Sequence, residues 1–424
     1  MKYPLCLCLF LAGLSAVTHC HHRDVCHEVN NTRLHDGAEN LLMQDCRKQG
    51  SAYADFAFRF YKQAISEEAD KNVFFSPISI STAFAMLALG AKSTTLAQIF
   101  EGLGFGSVAQ AHIEDIHESF HKVLAVLNCT DVNITLNIGN ALFTAIGVEP
   151  LEAFLKHTRQ FYDAEFFSSN FHNEGGAKMQ INNYVKEKTK GKIPELIDYL
   201  DGNTIMVLIN YIYFKAAWEK RFDPECTYED DFFVNINTSV SVNMMRRETN
   251  YSSYYDQDLS CEVVELPYQG TARALLILPD DGKMKQVEDA LSKETICKWD
   301  SKLETRRVNL HLPRISISGS YEVETLFKKM GITDVFSSNA DLSGITGSHG
   351  LHVSRAIHKA KVDVNENGTE AAAVTVVEIT ATSLQLPPPP VIRFNRPFLM
   401  LIFDKAASSI IFIGKIVNPA ASEE

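Results

Sequence analysis

One stretch near the C-terminus constrains this 424-residue chain more than any other. It runs Glu366-Asn367-Gly368-Thr369-Glu370-Ala371-Ala372-Ala373, continues from Val374 to Leu386, and ends in four prolines, Pro387 to Pro390. It sits between two strand-like hydrophobic runs. Three alanines followed by Val374-Thr375-Val376-Val377 suit an extended strand packed inside a sheet. The proline tract that follows cannot join a sheet interior. A long loop whose first half has the composition of a strand points to stored conformational energy.

Composition sets the outer bounds. With 46% hydrophobic and 22% charged residues, the chain has globular composition and ample length for a large core. A formal net charge of −12 argues against nucleic acid as the main partner. After the N-terminal segment no apolar run reaches the roughly 20 residues that a membrane span needs. Residues 1–20 read as a secretory signal: Lys2 opens it, Leu5 to Val17 is the apolar stretch, and Thr18-His19-Cys20 offers a cleavage site. The expected location is therefore extracellular. Of nine cysteines, Cys6, Cys8 and Cys20 fall in the signal. Cys26, Cys46, Cys129, Cys226, Cys261 and Cys297 remain, too sparse to be the scaffold of the fold. Cys26 and Cys46 flank a polar segment and could pair, and no pair has CxxC spacing. Glycosylation sequons begin at Asn30, Asn128, Asn133, Asn237, Asn250 and Asn367.

Residues 21–50 read as a flexible polar tail, and the histidines His21, His22 and His27 within it as solvated. From Ala54 the pattern is helical, with Phe56, Phe60 and Ile65 near one face. Ser76 is a good N-cap and Pro77 fits the first turn of a helix ending near Gly90. Further helices are expected at 95–102 and 110–127. From residue 230 the chain turns β-rich. Val263 to Pro267 and Ala274 to Leu278 read as strands around a turn at Gln269-Gly270. Phe398 to Phe403 and Ile410 to Ile413, joined by Lys405 to Ser408, are apolar enough to be buried on both faces. No repeat or linker divides the chain. One α+β domain over 51–419, with a short tail at 420–424, is the simplest organisation.

No G-x-S-x-G elbow, H-E-x-x-H or P-loop motif occurs, so no catalytic residue is assigned. Gly102 to Gly106 lacks dinucleotide-loop spacing and reads as a helix-ending turn. His117 and His121 lie one turn apart and could share a metal, but without a third ligand the better reading is a solvated helix face, and no metal is expected. Lys293, Lys298, Lys302, Arg306, Arg307, His311 and Arg314 could form a glycosaminoglycan patch, weakened by the interspersed Glu294, Asp300 and Glu304.

Several motifs together resemble one family. Phe74-Phe75-Ser76-Pro77-Ile78-Ser79, Asn210 to Trp218, Asp341-Leu342-Ser343-Gly344, His358-Lys359-Ala360, Gly368-Thr369-Glu370-Ala371 and Phe394-Asn395-Arg396-Pro397-Phe398 occur in the order found in serpins. The resemblance covers about residues 50–419 and is nearest to the extracellular antitrypsin, antichymotrypsin and kallistatin group. It implies an α+β serpin fold of three β-sheets and eight or nine helices, with an exposed reactive centre loop at about 366–390. It further implies a monomeric serine protease inhibitor that needs no cofactor and acts as a suicide substrate. The protease forms an acyl-enzyme with the loop, the cut loop enters the large sheet as a strand, and the enzyme is distorted. The alternative within the family is a non-inhibitory carrier of a small hydrophobic ligand such as a hormone, or a binder of another protein.

The resemblance also implies roles for residues. Glu366, Gly368, Thr369, Glu370, Ala371, Ala372 and Ala373 match the hinge that inserts first, where bulk would block entry. The family's cut site falls fourteen positions after the hinge glycine, at Thr382, with cleavage before Ser383. The eleven-residue step from Ser383 to Phe394 resembles that of antichymotrypsin. Thr382 with Ala381 suits an elastase-like pocket, whereas Leu384 or Leu386 would suit a chymotrypsin-like enzyme if the register shifts. No Arg or Lys lies between Gly368 and Pro390, which disfavours trypsin-like proteases. Ser76, Ser79, Asn210 and His358 resemble the polar cluster where the sheet parts. Trp218 resembles the aromatic where insertion begins, and Arg314 with Glu366 an ion pair that limits early opening. A glycan on Asn367 would sit beside the hinge, so the sequence leads us to expect that site unmodified or inhibition weak.

Overall fold

A computed structural model describes residues 51–67, 70–106, 112–128, 134–369 and 388–421. Fifteen strands and ten α-helical segments occur among them. The helices span Ser51–Glu67, Pro77–Ala88, Ser93–Gly102, Ile113–Leu127, Glu152–Tyr162, Glu174–Lys188, Met284–Ala290, Lys293–Lys302, Val323–Lys329 and Ser343–Thr346. Local signals place several of them. The Ser76 hydroxyl accepts from the Ser79 amide at 3.3 Å, and Pro77 opens the helix where its missing N–H costs nothing.

The strands, in chain order, are β1 (Val73–Phe75), β2 (Ile134–Ala145), β3 (Glu165–Ser169), β4 (Met206–Ala217), β5 (Tyr228–Asn235), β6 (Thr238–Asp256), β7 (Cys261–Pro267), β8 (Ala272–Pro279), β9 (Glu304–Pro313) and β10 (Ile315–Glu322), followed by β11 (Arg355–Asn365), β12 (Gly368–Thr369), β13 (Val391–Arg393), β14 (Phe398–Asp404) and β15 (Ser409–Ile416). Six of them form one sheet in the order β10-β11-β12-β4-β2-β3. The other nine form a second ladder, β1-β15-β14-β8-β7-β6-β9-β13, with β5 paired to β6. The long β6 joins what are otherwise two sheets: its first residues pair with β5 and its last with β7. The three-sheet α+β expectation is met in this way.

The six-stranded sheet is covered on both faces, which is why β4 is a nearly unbroken apolar run. On its inner side Leu208, Ile212 and Phe214 enter the main core with Phe84 and Phe412. On its outer side Val207, Ile209 and Tyr211 pack with Ile181 and Val185 of the 174–188 helix. β14 and β15 are buried almost throughout, as their composition requires.

Candidate functional site

The centre of the six-stranded sheet carries a polar row where an apolar one would be expected. Register sets Asn140 of β2 opposite Asn210 of β4, and Asn210 beside His358 of β11. All three are buried, with Ser76 and Ser79 beneath them. Buried polar groups must be paired, and these are. The Ser79 hydroxyl donates to Asn210 Oδ1 at 3.0 Å, and Asn210 Nδ2 donates to Asn140 Oδ1 at 2.7 Å. The Ser76 amide donates to His358 Nε2 at 3.1 Å. His358 Nδ1 lies 2.5 Å from the same Asn210 oxygen. These partners assign the tautomer, since Nε2 must accept and Nδ1–H must donate. Burial without a counter-charge pulls the His358 pKa down to about 3.

The sheet changes its pairing along its length. β11 and β4 pair directly and in parallel from Arg355 with Val207 to Lys361 with Tyr213. Higher up they part, and β12 stands between them. Gly368 and Thr369 pair antiparallel with Asn365 and Val364 on one side and with Ala217 and Ala216 on the other. Two hinge residues, Gly368 and Thr369, are already part of the sheet. Gly368 has φ +138°, and a Cβ there would lie 2.2 Å from the Ala216 carbonyl oxygen, so only glycine passes.

Polar and aromatic groups clamp this junction. Trp218 stacks on Tyr268 with ring centres 4.2 Å apart, and its Nε1 donates to the Asn365 carbonyl at 3.0 Å. The Tyr268 and Thr369 hydroxyls lie 2.8 Å apart in the buried interior. The Arg314 guanidinium meets the Glu366 carboxylate at 2.7 Å, and the Thr227 hydroxyl donates to it at 2.6 Å. Burial alone would raise the Glu366 pKa, but these donors hold it below the usual carboxylate range. Tyr268, Thr227 and Asn140 were not singled out from the sequence. Asn140 had left a signal there, as an amide inside the apolar run of β2.

Some expectations need correction. His117 does not lie on a solvated face. It points inward against the Tyr162 hydroxyl, and burial lowers its pKa to about 4, while His121 on the next turn is exposed. The basic patch is also largely neutralised by acids distant in sequence. Lys298 meets Asp256 and Asp258, Arg306 meets Glu262, Arg307 meets Glu248, and His311 is buried. Of the sequon asparagines, Asn237 and Asn250 are exposed and Asn128 and Asn367 half-buried. Asn30, Asn133, Cys26, Cys46 and Cys129 lie outside the described residues, as do Glu370, Ala371, Ala372, Ala373, Thr382, Ser383, Leu384 and Leu386. Cys226 and Cys261 form no disulfide among the described residues.

A separate cleft of about 90 Å³ opens between the 51–67 and 293–302 helices and the β14–β15 turn. Phe58, Ile296, Phe403 and Ile410 line it, with Arg273 at its wall. Arg273 is held by Glu265 at 2.6 Å and Asp300 at 2.7 Å.

Known proteins share this architecture. The family described as Serpin (serine protease inhibitor) matches residues 51–419. Alpha-1-antichymotrypsin of Pongo abelii is 43% identical over 417 residues, spanning 98% of each chain. The human plasma serine protease inhibitor is 42% identical over 421 residues, 99% of this chain and 100% of that one. Among solved structures, human thyroxine-binding globulin in complex with thyroxine superposes with a TM-score of 0.84 at 42% identity, covering 89% of this chain and 100% of its own. The sheet with its interposed hinge and the end-to-end likeness lead to one conclusion: this chain belongs to the serpin family.

Proposed function

We propose that the protein is a secreted inhibitor of elastase- or chymotrypsin-like serine proteases, trapping them by insertion of its cleaved loop between β4 and β11. The observation that carries this reading is β12, because the sheet already holds the first two residues of the strand that insertion would complete. Insertion would exchange the parallel β11–β4 pairing for two antiparallel ladders, the more stable arrangement per residue.

The observed register can be continued down the gap, one residue against one on each neighbour. Thr375 then falls between Asn210 and His358, in the buried polar row of the sheet. Val374 and Val376 fall opposite Tyr211 and Ile209, in the apolar layer under the 174–188 helix. Glu378 falls beside Arg355, on the outer face. Thr375, Val374 and Val376 thus meet chemistry that suits them. In this reading Ser76, Ser79, Asn210 and His358 form the row that parts. Trp218, Arg314 and Glu366 hold the point of entry. Thr382-Ser383 is the cut bond. The relative named as a plasma protein supports an extracellular location.

A second reading is favoured by the apolar cleft at Phe58 and Phe403 and by the thyroxine-bound structural neighbour. On it, the protein carries a small hydrophobic ligand.

One experiment separates the two. The secreted protein is incubated with a panel of elastase- and chymotrypsin-like proteases, resolved on denaturing gels, and the released peptide is sequenced by mass. A complex stable to denaturation, with a peptide starting at Ser383, is expected. Clean cleavage without complex across the panel would overturn inhibition and favour the carrier.

A further inference from the structure

Asn367 carries a sequon, and the structure gives it a position that the sequence did not suggest. Asn365 and Gly368 pair across a two-residue turn whose tip is Glu366-Asn367. The tip is held in place, the Glu366 carbonyl accepting from the Phe222 amide at 2.8 Å. The two tip side chains part company. Glu366 turns inward to Arg314 and Thr227 and is almost wholly buried. Asn367 is partly exposed, and no hydrogen bond of its side-chain amide occurs among the described residues. Its backbone is fixed, with the N–H donating to Asn365 Oδ1 and the carbonyl accepting from the Trp218 amide, each at 2.9 Å.

We propose that Asn367 is an N-glycan acceptor whose sugar stays outside the sheet throughout loop insertion. The direction of the chain is the reason. Insertion would proceed from Thr369 onward, away from the hairpin tip, while the turn holding Asn367 is already made. A sugar on Asn367 would have to enter the sheet only if the turn were still to form. The expectation of a blocked hinge therefore gives way to a glycan that marks the rim of the sheet and moves little. Thr369, the third residue of the sequon, is buried and bonded to Tyr268 in the folded protein. The transferase must therefore read the site before the hinge pairs with β4, on the growing chain.

The proposal rests on the inhibitory reading for its second half only, and two readouts keep the halves apart. First, protein secreted from a glycosylating host cell is treated with N-glycosidase in heavy-oxygen water, and the Asn367 peptide is mapped. Isotope incorporation at Asn367 is expected. An unlabelled Asn367 overturns the proposal. Second, the glycosylated protein and the Asn367→Gln variant are nicked in the loop and melted, and each is titrated against protease. The same rise in melting temperature and an unchanged stoichiometry of inhibition are expected. A glycosylated form that gains no stability on nicking, beside a variant that does, overturns free insertion past the sugar. Failure of both forms to gain stability refutes insertion itself, and with it the second half of the proposal, while the mapping still decides occupancy.

Discussion

His358 offers a direct test of the polar row. In the folded protein its Nε2 accepts from the Ser76 amide, so a proton there would face another N–H in a buried site with no counter-charge. That is why its pKa falls to about 3 from an ordinary 6.5. A base with a depressed folded pKa stabilises the native state above the unfolded value, and that stability is lost as the pH falls below it. Between pH 7 and pH 5 the unfolded chain binds a proton that the native state excludes, which costs about 2 kcal/mol from this residue alone. The figure barely depends on how far below 5 the folded value lies. His358→Gln keeps an acceptor for Ser76 and a donor for Asn210 but does not titrate. Urea unfolding at both pH values should show wild type losing about 2 kcal/mol more than the variant. His117 and His311, both also held low, contribute equally to the two proteins and cancel. Equal losses in the two proteins would refute the buried neutral state of His358.

Two further substitutions probe the hinge and the core. Thr369→Arg would place a charge in a fully buried slot against Tyr268, at several kcal/mol for an unpaired ion. Titration against protease should then show turnover of the protein as substrate in place of stable complex. Lys415 and Glu288 form an ion pair at 3.0 Å, each nearly buried, with the Tyr61 hydroxyl donating to the same carboxylate. Lys415→Met strands that carboxylate and should cost about 3–5 kcal/mol in denaturant unfolding, whereas exposed pairs such as Lys285 with Asp289 should cost under about 1 kcal/mol.

What the sequence revealed depended on how local the cause was. The Ser76–Pro77 helix start was legible because cap and first turn are neighbours. β14 and β15 were legible because burial on both faces leaves an unbroken apolar run. His117 was not, since the 113–127 helix mixes charges around its surface and only packing against Tyr162 shows which way the ring turns. The charge balance of the basic residues was only partly legible, because their partner acids Asp256, Glu262 and Glu248 lie tens of residues away. The Arg314–Glu366 pair came from resemblance alone, and Tyr268, which completes the same junction, carried no local signal. Least legible was the hinge already seated in the sheet, because a two-residue strand has no periodicity to read and its register is set by β4 and β11.

Where the energy of insertion would come from can be argued from that register. Net backbone hydrogen bonds contribute about 0.5–1.5 kcal/mol each, and ordering each loop residue costs about 1–2 kcal/mol. Backbone pairing therefore roughly cancels, and side chains must decide. Ala371, Ala372 and Ala373 add little. Val374 and Val376, continued into the layer of Tyr211, Ile209 and Ile357 under the 174–188 helix, would gain about 1.5–3 kcal/mol each on full burial. A Val374→Ser, Val376→Ser double variant removes most of that gain and leaves Thr382 and Ser383 untouched. Cleavage in the loop should proceed as before, but the rise in melting temperature on cleavage should shrink, and more of the protein should be turned over as substrate. A rise equal to that of wild type would mean that exchange of parallel for antiparallel pairing, and not burial beneath the helix, drives the strand home.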